Sequence, residues 1–380
     1  MKNGELRKLA VGLVALALCG STMGTTRPIK ETVVPPSDPA IQYVGRMVKT
    51  NPQSYWFSYP GTQVLAAFDG TGLKMLAKPR SGYFMVEIDQ AEAFKIALTG
   101  EADSVVTLAA ALPQGRHTVR LVYCVEGYEY QPEFRGFLLP TGTTMAPAPT
   151  LPSRKMEFIG NSITCGYGNE SVSQHDHFQF ATENHYYAYA ALAARQLQAQ
   201  AYVVARSGIG VYRNYGGPRT GTPDNNMPAQ YEYTLYAETQ QQRQSTAAHQ
   251  QRWDFSQYRP DVVCINLGTN DLSTNNYDLD SLHHAYATFL QTVRRNNPQA
   301  QIVYLCGSML GGHELQQARQ TLDDVVSEAR KRGDSRVHRF DFSPQTGDLG
   351  YGADWHPSLW QHQKMAAELT AFLRPLMQWF

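Results

Sequence analysis

Ser162 stands in Gly160-Asn161-Ser162-Ile163-Thr164, Gly210 closes Ser207-Gly208-Ile209-Gly210, Asn270 lies in Gly268-Thr269-Asn270-Asp271, and His356 sits in Asp354-Trp355-His356-Pro357. Acyl transfer needs a nucleophile, a base and hydrogen-bond donors for the oxyanion that develops on the attacked carbonyl. Ser162 can supply the nucleophile, and its backbone N–H, near the start of a turn into a helix, can donate to the oxyanion. Gly210 can bring a second backbone N–H close because no Cβ stands in the way. Gly208 competes for that role, and Gly210 is preferred because it lies further past the end of the preceding apolar run. Asn270 adds a side-chain N–H as a third donor. His356 can take the serine proton and later deliver it to a leaving alcohol.

Each signal alone has an ordinary alternative. A serine after a glycine commonly caps a turn, Asn and Asp are turn formers and helix caps, and one histidine among 11 says little. The reading rests on their conjunction. Asp271 reads as a loop-fixing residue rather than a catalyst. A catalytic imidazole needs its second nitrogen hydrogen-bonded, and two partners are open. One is the Asp354 carboxylate, preferred because it would stabilise imidazolium better than a neutral group. The other is a main-chain carbonyl. Trp355, Tyr167 and Tyr212 flank these blocks and are candidates to stack on a substrate ring, with core packing as the alternative. Arg213 and Asn214 either hold their loop or contact substrate. His175, Asp176 and His177 lie in a polar stretch with no further ligand at a useful spacing, which reads as a solvated loop rather than a metal site.

The elements that must position these groups follow from hydrophobic patterning. Met156 to Ile159, Ala201 to Ala205, Val262 to Leu267, Ile302 to Cys306 and Val337 to Phe340 are short apolar runs separated by helix-length segments. Leu282 to Val293, Leu315 to Ala329 and Pro357 to Leu376 read as helices, and Tyr186, Tyr189, Ala190, Ala193 and Leu197 share one helical face. Strands alternating with helices imply a parallel sheet covered on both faces, in which ligands bind beyond the carboxyl ends of the strands. The candidate blocks fall at those strand ends or just before the last helix. Residues 39–146 differ. Runs such as Gln63 to Phe68, Tyr83 to Ile88, Phe94 to Leu98 and His117 to Val122, broken by Gly and Pro, suggest an antiparallel β-sandwich. Pro147, Pro149 and Pro152 mark the junction, and residues 152–380 form the second domain.

Lys plus Arg and Asp plus Glu are 33 each, which removes the electrostatic case for a nucleic-acid partner. Residues 1–24 read as a signal peptide: Lys2, Arg7 and Lys8 precede the uncharged run Leu9 to Leu18, with Thr22-Met23-Gly24 as a cleavage site. That run is too short for a transmembrane span. Cys19 loosely fits a lipobox, leaving a lipid anchor open against a secreted or periplasmic soluble form. Residues 25–38, rich in Thr and Pro, read as a linker. Cys124, Cys165, Cys264 and Cys306 show no zinc-ligand spacing, and Cys264 and Cys306 fall within the apolar runs.

The set Ser162, Gly210, Asn270 and His356 resembles the SGNH hydrolases. Gly160-Asn161-Ser162 stands for that family's G-D-S block, with Asn161 for Asp, and Gly268-Thr269-Asn270-Asp271 matches its G-x-N-D block unchanged. Within it, Glu157 to Gly168, Val211 to Gly216 and Asp354 to Ser358 are similar to the blocks of carbohydrate esterase family 2. The resemblance implies an α/β, flavodoxin-like catalytic domain with a parallel five-stranded sheet behind a jelly-roll-like β-sandwich. It implies a serine esterase removing acetyl groups from polysaccharides or oligosaccharides such as xylan or glucomannan, with no metal and no cofactor. SGNH hydrolases place the orienting Asp three residues before the His, whereas position 353 here is Ala and the nearest Asp is Asp354. The alternatives are an SGNH lipase or thioesterase, which the N-terminal sandwich disfavours, and a glycan-binding protein with a weak active site, which intact Ser162, Asn270 and His356 disfavour.

Overall fold

The computed structural model describes residues 31–380; the stretch read as a signal peptide and the candidate lipid site at Cys19 lie outside them. The N-terminal part is a sandwich of two six-stranded sheets. Gln63–Gly70, Gly82–Ile88 and Gly115–Tyr123 lie together in one sheet, and Leu73–Ala77, Val105–Ala109 and Glu133–Leu139 in the other. Alternation along the strands turns Val64, Ala66, Phe68, Val119 and Leu121 inward, against Met75 and Phe137 of the facing sheet.

The stretch expected to be linker is partly structural. Thr32–Val34 pairs antiparallel with Phe137–Leu139. A β-branched Thr-Val-Val run suits an open sheet edge, and Pro35-Pro36, which lack N–H donors, end the pairing.

The second domain is built on a five-stranded, wholly parallel sheet in the order 199–205, 154–160, 262–266, 301–306, 337–341, the flavodoxin-like arrangement. One face, carrying Ile159, Val263, Ile265 and Ile302, is covered by helices Leu279–Asn296 and Gly312–Lys331. The other, carrying Met156, Phe158, Cys264 and Val303, is covered by Tyr189–Gln196 and Leu359–Met377. The last helix begins at Leu359, later than the sequence suggested, because the Ser358 hydroxyl caps it by accepting from Gln361 N. Among the described residues no helix is long and apolar enough to cross a membrane, and Cys124, Cys165, Cys264 and Cys306 are free, buried thiols.

The domains are joined through buried polar chemistry. Arg46, from the sandwich, is fully enclosed; its guanidinium pairs with Glu157 Oε1 at 2.9 Å and donates to the carbonyls of Tyr231 and Tyr233. Tyr231 Oη donates to Glu157 Oε2 at 2.8 Å. The Tyr231, Trp253 and Phe255 rings surround the guanidinium at 5.0 to 5.4 Å. Glu157 lies on the strand that delivers Ser162, so this pair ties the sandwich to the root of the site. Removing one member of a buried pair leaves an uncompensated charge. Arg46→Met should therefore destabilise the protein by roughly 3–5 kcal/mol in chemical denaturation; a loss below about 1 kcal/mol would show that Glu157 does not depend on it.

Candidate active site

Strand Arg154–Gly160 ends in a one-turn helix, Ser162–Cys165. Asn161 caps that turn, its side-chain oxygen accepting from Ile163 N at 3.1 Å, a role Asp would fill equally well. A Cβ on Gly160 would lie 2.0 Å from Thr164 Oγ1, so only glycine permits this strand-to-helix turn. Thr164 Oγ1 meets Tyr189 Oη at 2.9 Å, and Asn266 Nδ2 donates to the same phenol oxygen at 3.2 Å. The nucleophile's turn is thus braced from behind by two elements.

His356 reaches back to Ser162 across the sheet's carboxyl end, with Nε2 2.9 Å from Ser162 Oγ. Its Nδ1 lies 3.1 Å from the Ala353 carbonyl and 3.2 Å from the Asp354 carbonyl. That arrangement requires Nδ1 to carry the proton and leaves Nε2 as the acceptor facing the serine.

The Asp354 carboxylate does not orient the ring, which corrects the preferred expectation. Asp354 and Trp355 both adopt left-handed backbone, φ 48° and 59°, which presents main-chain carbonyls to the imidazole and turns the carboxylate elsewhere. There it accepts from Tyr167 Oη at 2.8 Å, His177 Nδ1 at 3.2 Å and Phe178 N at 3.2 Å. Burial opposes its ionisation, but the Tyr167 hydroxyl and His177 outweigh that and hold Asp354 below the usual carboxylate range. Tyr167 is in turn stacked on the imidazole, ring centroids 4.0 Å apart. The Asp354 carboxylate therefore bears on His356 through the Tyr167 ring, while only its main-chain carbonyl meets Nδ1.

The oxyanion candidates lie on facing loops. Ser162 N is the first amide of its helical turn and has no acceptor within it. Asn270 Nδ2 donates one hydrogen to Ile209 O at 2.8 Å, and an amide carries a second. Gly210 N donates to Asn214 Oδ1 at 3.1 Å, so in the free protein a neutral amide oxygen occupies this donor. An oxyanion would compete for it with the stronger, charge-assisted bond. Asp271 fixes the facing loop as expected: its carboxylate accepts from Val211, Tyr212, Arg213 and Gly268 N–H groups at 2.8 to 3.2 Å. A Cβ on Gly210 would fall 2.0 Å from Arg213 O and 2.7 Å from Asp271 Oδ1. Glycine is required there by close packing as well as by access to its N–H. Arg213 is buried, its guanidinium donating to Asp271 O, Ser273 O and Thr274 Oγ1 at 2.9 to 3.0 Å, so it holds the loop and does not contact substrate.

Of the aromatics named from sequence, Trp355 is half exposed beside His356. Tyr212 is buried, its hydroxyl accepting from Asp278 N, and Tyr167 has its faces taken by His356 and Phe178. Neither offers a sugar platform, because both rings are used in packing. Tyr215, 68% exposed beyond Gly210, was not singled out; its setting in Asn214-Tyr215-Gly216-Gly217 was the available signal, since such turns rarely bury a side chain. The Ala353 carbonyl left no signal, because any residue carries one. His175, Asp176 and His177 lie in an exposed loop, as expected, where His175 packs edge-on against Trp355 and His177 bonds Asp354.

Burial holds His356 down to about 4, against the upward pull of the Ala353 and Asp354 carbonyls. A depressed value keeps the imidazole neutral, hence basic, at every pH above it. The acid limb of kcat/KM should accordingly fall near pH 4 rather than near the ordinary histidine value; a limb at about 6.5 would mean the ring is solvated in the working enzyme. Asp354→Asn should lower kcat by about tenfold or less, since tautomer reversal of the kind that costs several orders of magnitude needs a carboxylate on Nδ1. A steady-state loss near ten-thousandfold would restore the carboxylate to that position.

A family model for the carbohydrate esterase 2 N-terminal region matches residues 43–149, and one for the GDSL-like lipase/acylhydrolase family matches residues 158–364. The chain is 37% identical over 343 residues to the cellulase/esterase CelE of Acetivibrio thermocellus, covering 90% of this chain but 40% of that protein. It is 31% identical to an acetylxylan esterase/glucomannan deacetylase of Cellvibrio japonicus, covering 98% of both chains. A family two carbohydrate esterase from Clostridium thermocellum, solved in complex with cellohexaose, superposes with a TM-score of 0.80 at 36% identity, over 90% of this chain and 100% of that one. With both halves matched in order and the serine–histidine contact formed at the expected strand end, the chain belongs to the GDSL-like acylhydrolases, among the family 2 carbohydrate esterases.

Proposed function

We propose that this esterase removes O-acetyl groups from the hydroxyls of plant-type polysaccharides or oligosaccharides, xylan and glucomannan among them, through an acetyl-enzyme on Ser162. The observation that carries the mechanism is the 2.9 Å contact between His356 Nε2 and Ser162 Oγ, with the imidazole's other nitrogen held by carbonyls. His356 takes the Ser162 proton as Oγ attacks the acetyl carbonyl carbon. The tetrahedral oxyanion is stabilised by Ser162 N, Gly210 N and the free Asn270 amide hydrogen. Collapse breaks the ester bond, and His356 passes the proton to the departing sugar oxygen. A water then repeats the sequence, His356 accepting its proton, and releases acetate. The substrate choice is supported by the names borne by the Cellvibrio relatives. Trp355 and Tyr215 are exposed aromatics adjoining site residues and serve as stacking surfaces for sugar rings. The leader reading of residues 1–24 makes the protein one that acts outside the cytoplasm.

Ser162→Ala should abolish acetate release from acetylated xylan, glucomannan and peracetylated sugars while leaving the melting temperature near wild type, and a serine-directed fluorophosphonate should label Ser162 alone. Labelling elsewhere would sink the mechanism. A preference for long-chain p-nitrophenyl esters over the acetate would sink the substrate class.

A further inference from the structure

Besides Arg46, the sandwich sends an acidic side chain, Glu126, into the catalytic domain. Strand Gly115–Tyr123 ends, and the chain leaves its sheet after Cys124, whose N–H still donates to Tyr83 O at 3.0 Å. The Cys124 carbonyl accepts from His185 N at 2.8 Å. Glu126 N donates to Glu183 Oε2 at 3.0 Å, and Glu126 Oε1 accepts from Ser207 N at 2.5 Å. Glu126 is 2% exposed and Glu183 wholly buried. Burial, reinforced by the neighbouring Glu126 carboxylate, pushes Glu183 well above the usual range. The Cys165 thiol, one helical turn beyond Ser162, lies within 4.8 Å of both carboxyl groups.

Ser207 N faces the open side of an edge strand, where the sheet supplies no acceptor. Arg206 N still donates to Gly160 O at 3.3 Å in the manner of the parallel ladder. Ser207 N has no such strand partner, and Glu126 provides its acceptor. The turn Ser207-Gly208-Ile209-Gly210 is therefore anchored at both ends by carboxylates. Asp271 holds the N–H groups of Val211, Tyr212 and Arg213 at the far end, and Glu126 holds Ser207 N at the near end. Arg206 strengthens the near anchor: its guanidinium lies 4.8 Å from the centre of the Tyr128 ring, also on the sandwich side, and pairs with Glu238 at 2.9 Å. A backbone amide buried without an acceptor would cost the turn its fixed geometry.

We propose that Glu126 is a positioning residue for the oxyanion hole: the sandwich's carboxylate sets the Ser207–Gly210 turn and so aims Gly210 N. This rests on the reading of Gly210 as an oxyanion donor. It also makes the N-terminal domain a structural part of the active site, whatever it does toward glycan.

The test uses the full chain with p-nitrophenyl acetate, and counts working sites by fluorophosphonate titration, so that unfolded protein does not enter the rate. Glu126→Ala should lower kcat per titrated site by roughly tenfold or more, with KM within about twofold. Glu126→Gln, whose amide oxygen accepts the same N–H, should recover most of that loss. If Glu126→Ala does not fold, Glu126→Asp keeps the charge but falls short of Ser207 N, and it should show the same loss in kcat. A per-site kcat unchanged in Glu126→Ala or Glu126→Asp, or a Gln variant as slow as the Ala variant, overturns the proposal. Asn270→Ala, assayed alongside, separates the two readings. Normal kcat there overturns the oxyanion hole itself, whereas slow Asn270→Ala beside normal Glu126→Ala overturns only the positioning role.

Discussion

Backbone N–H groups from two separate loops converge on one buried carboxylate, that of Asp271. Burial favours its protonated form, and the N–H bonds from Tyr212, Arg213 and Val211 work against that. Few other arrangements could hold a loop so tightly, because a carboxylate offers several lone-pair directions on one small group. The packing follows from it. Gly210 must lack a side chain because a Cβ would meet the Arg213 carbonyl and crowd the carboxylate, and Arg213 threads beneath to satisfy the carbonyls of Asp271 and Ser273. The face opposite Ser162 is therefore a densely hydrogen-bonded polar cluster. Its donors keep their places without substrate, which is what preorganised oxyanion stabilisation requires.

The histidine side of the site is built on different terms. Two consecutive non-glycine residues in left-handed backbone cost on the order of 1–3 kcal/mol each. The surrounding contacts that sustain them are local and identifiable. Ala353 N donates to Gly168 O, Asp354 N to Asp176 O, and Gly352 N to His356 O, all at 2.8 to 3.0 Å. The Asp354 side chain then binds Tyr167, His177 and Phe178, completing a clamp on the loop. The strained pair places two carbonyl oxygens on one imidazole nitrogen, a task usually given to a carboxylate. Neutral oxygens stabilise imidazolium less than a charge would, and burial lowers the basicity of the ring further, so His356 is a weak base that is always available.

How much of this was legible in the sequence differed by physical cause. The parallel strands, their covering helices and the blocks at the strand ends were visible because apolar runs and punctuation by Gly, Pro and Asn have fixed periods. Ser162 and His356 stood out for the same reason, as residues able to do chemistry at predictable ends, and the structure brings the two into contact. The orientation of His356 was not legible, since it depends on backbone φ at Asp354 and Trp355 and on carbonyls that every residue possesses. Tyr212 and Tyr167 were ambiguous because ring burial is decided by neighbours distant in sequence, Asp278 and Phe178 among them. Thr32–Val34 was hidden by the prolines beside it, which read as linker composition although the three residues before them find a free strand edge. Arg46 and Glu126 gave no signal at all: a single charged residue near a turn is ordinarily on the surface, and only the docked partner domain buries it.

The Arg46–Glu157 pair has a bearing on how such a protein can be inherited. A charge buried across the seam between two halves commits each half to the other, because either one, joined to a foreign neighbour, would carry into its surface a cavity shaped for an absent ion. Gene fusions that separated the sandwich from the sheet would produce two poorly soluble pieces, while fusions that kept them together would disturb nothing inside. The smallest part that recombination can transplant intact is thus the sandwich and the α/β sheet as a pair.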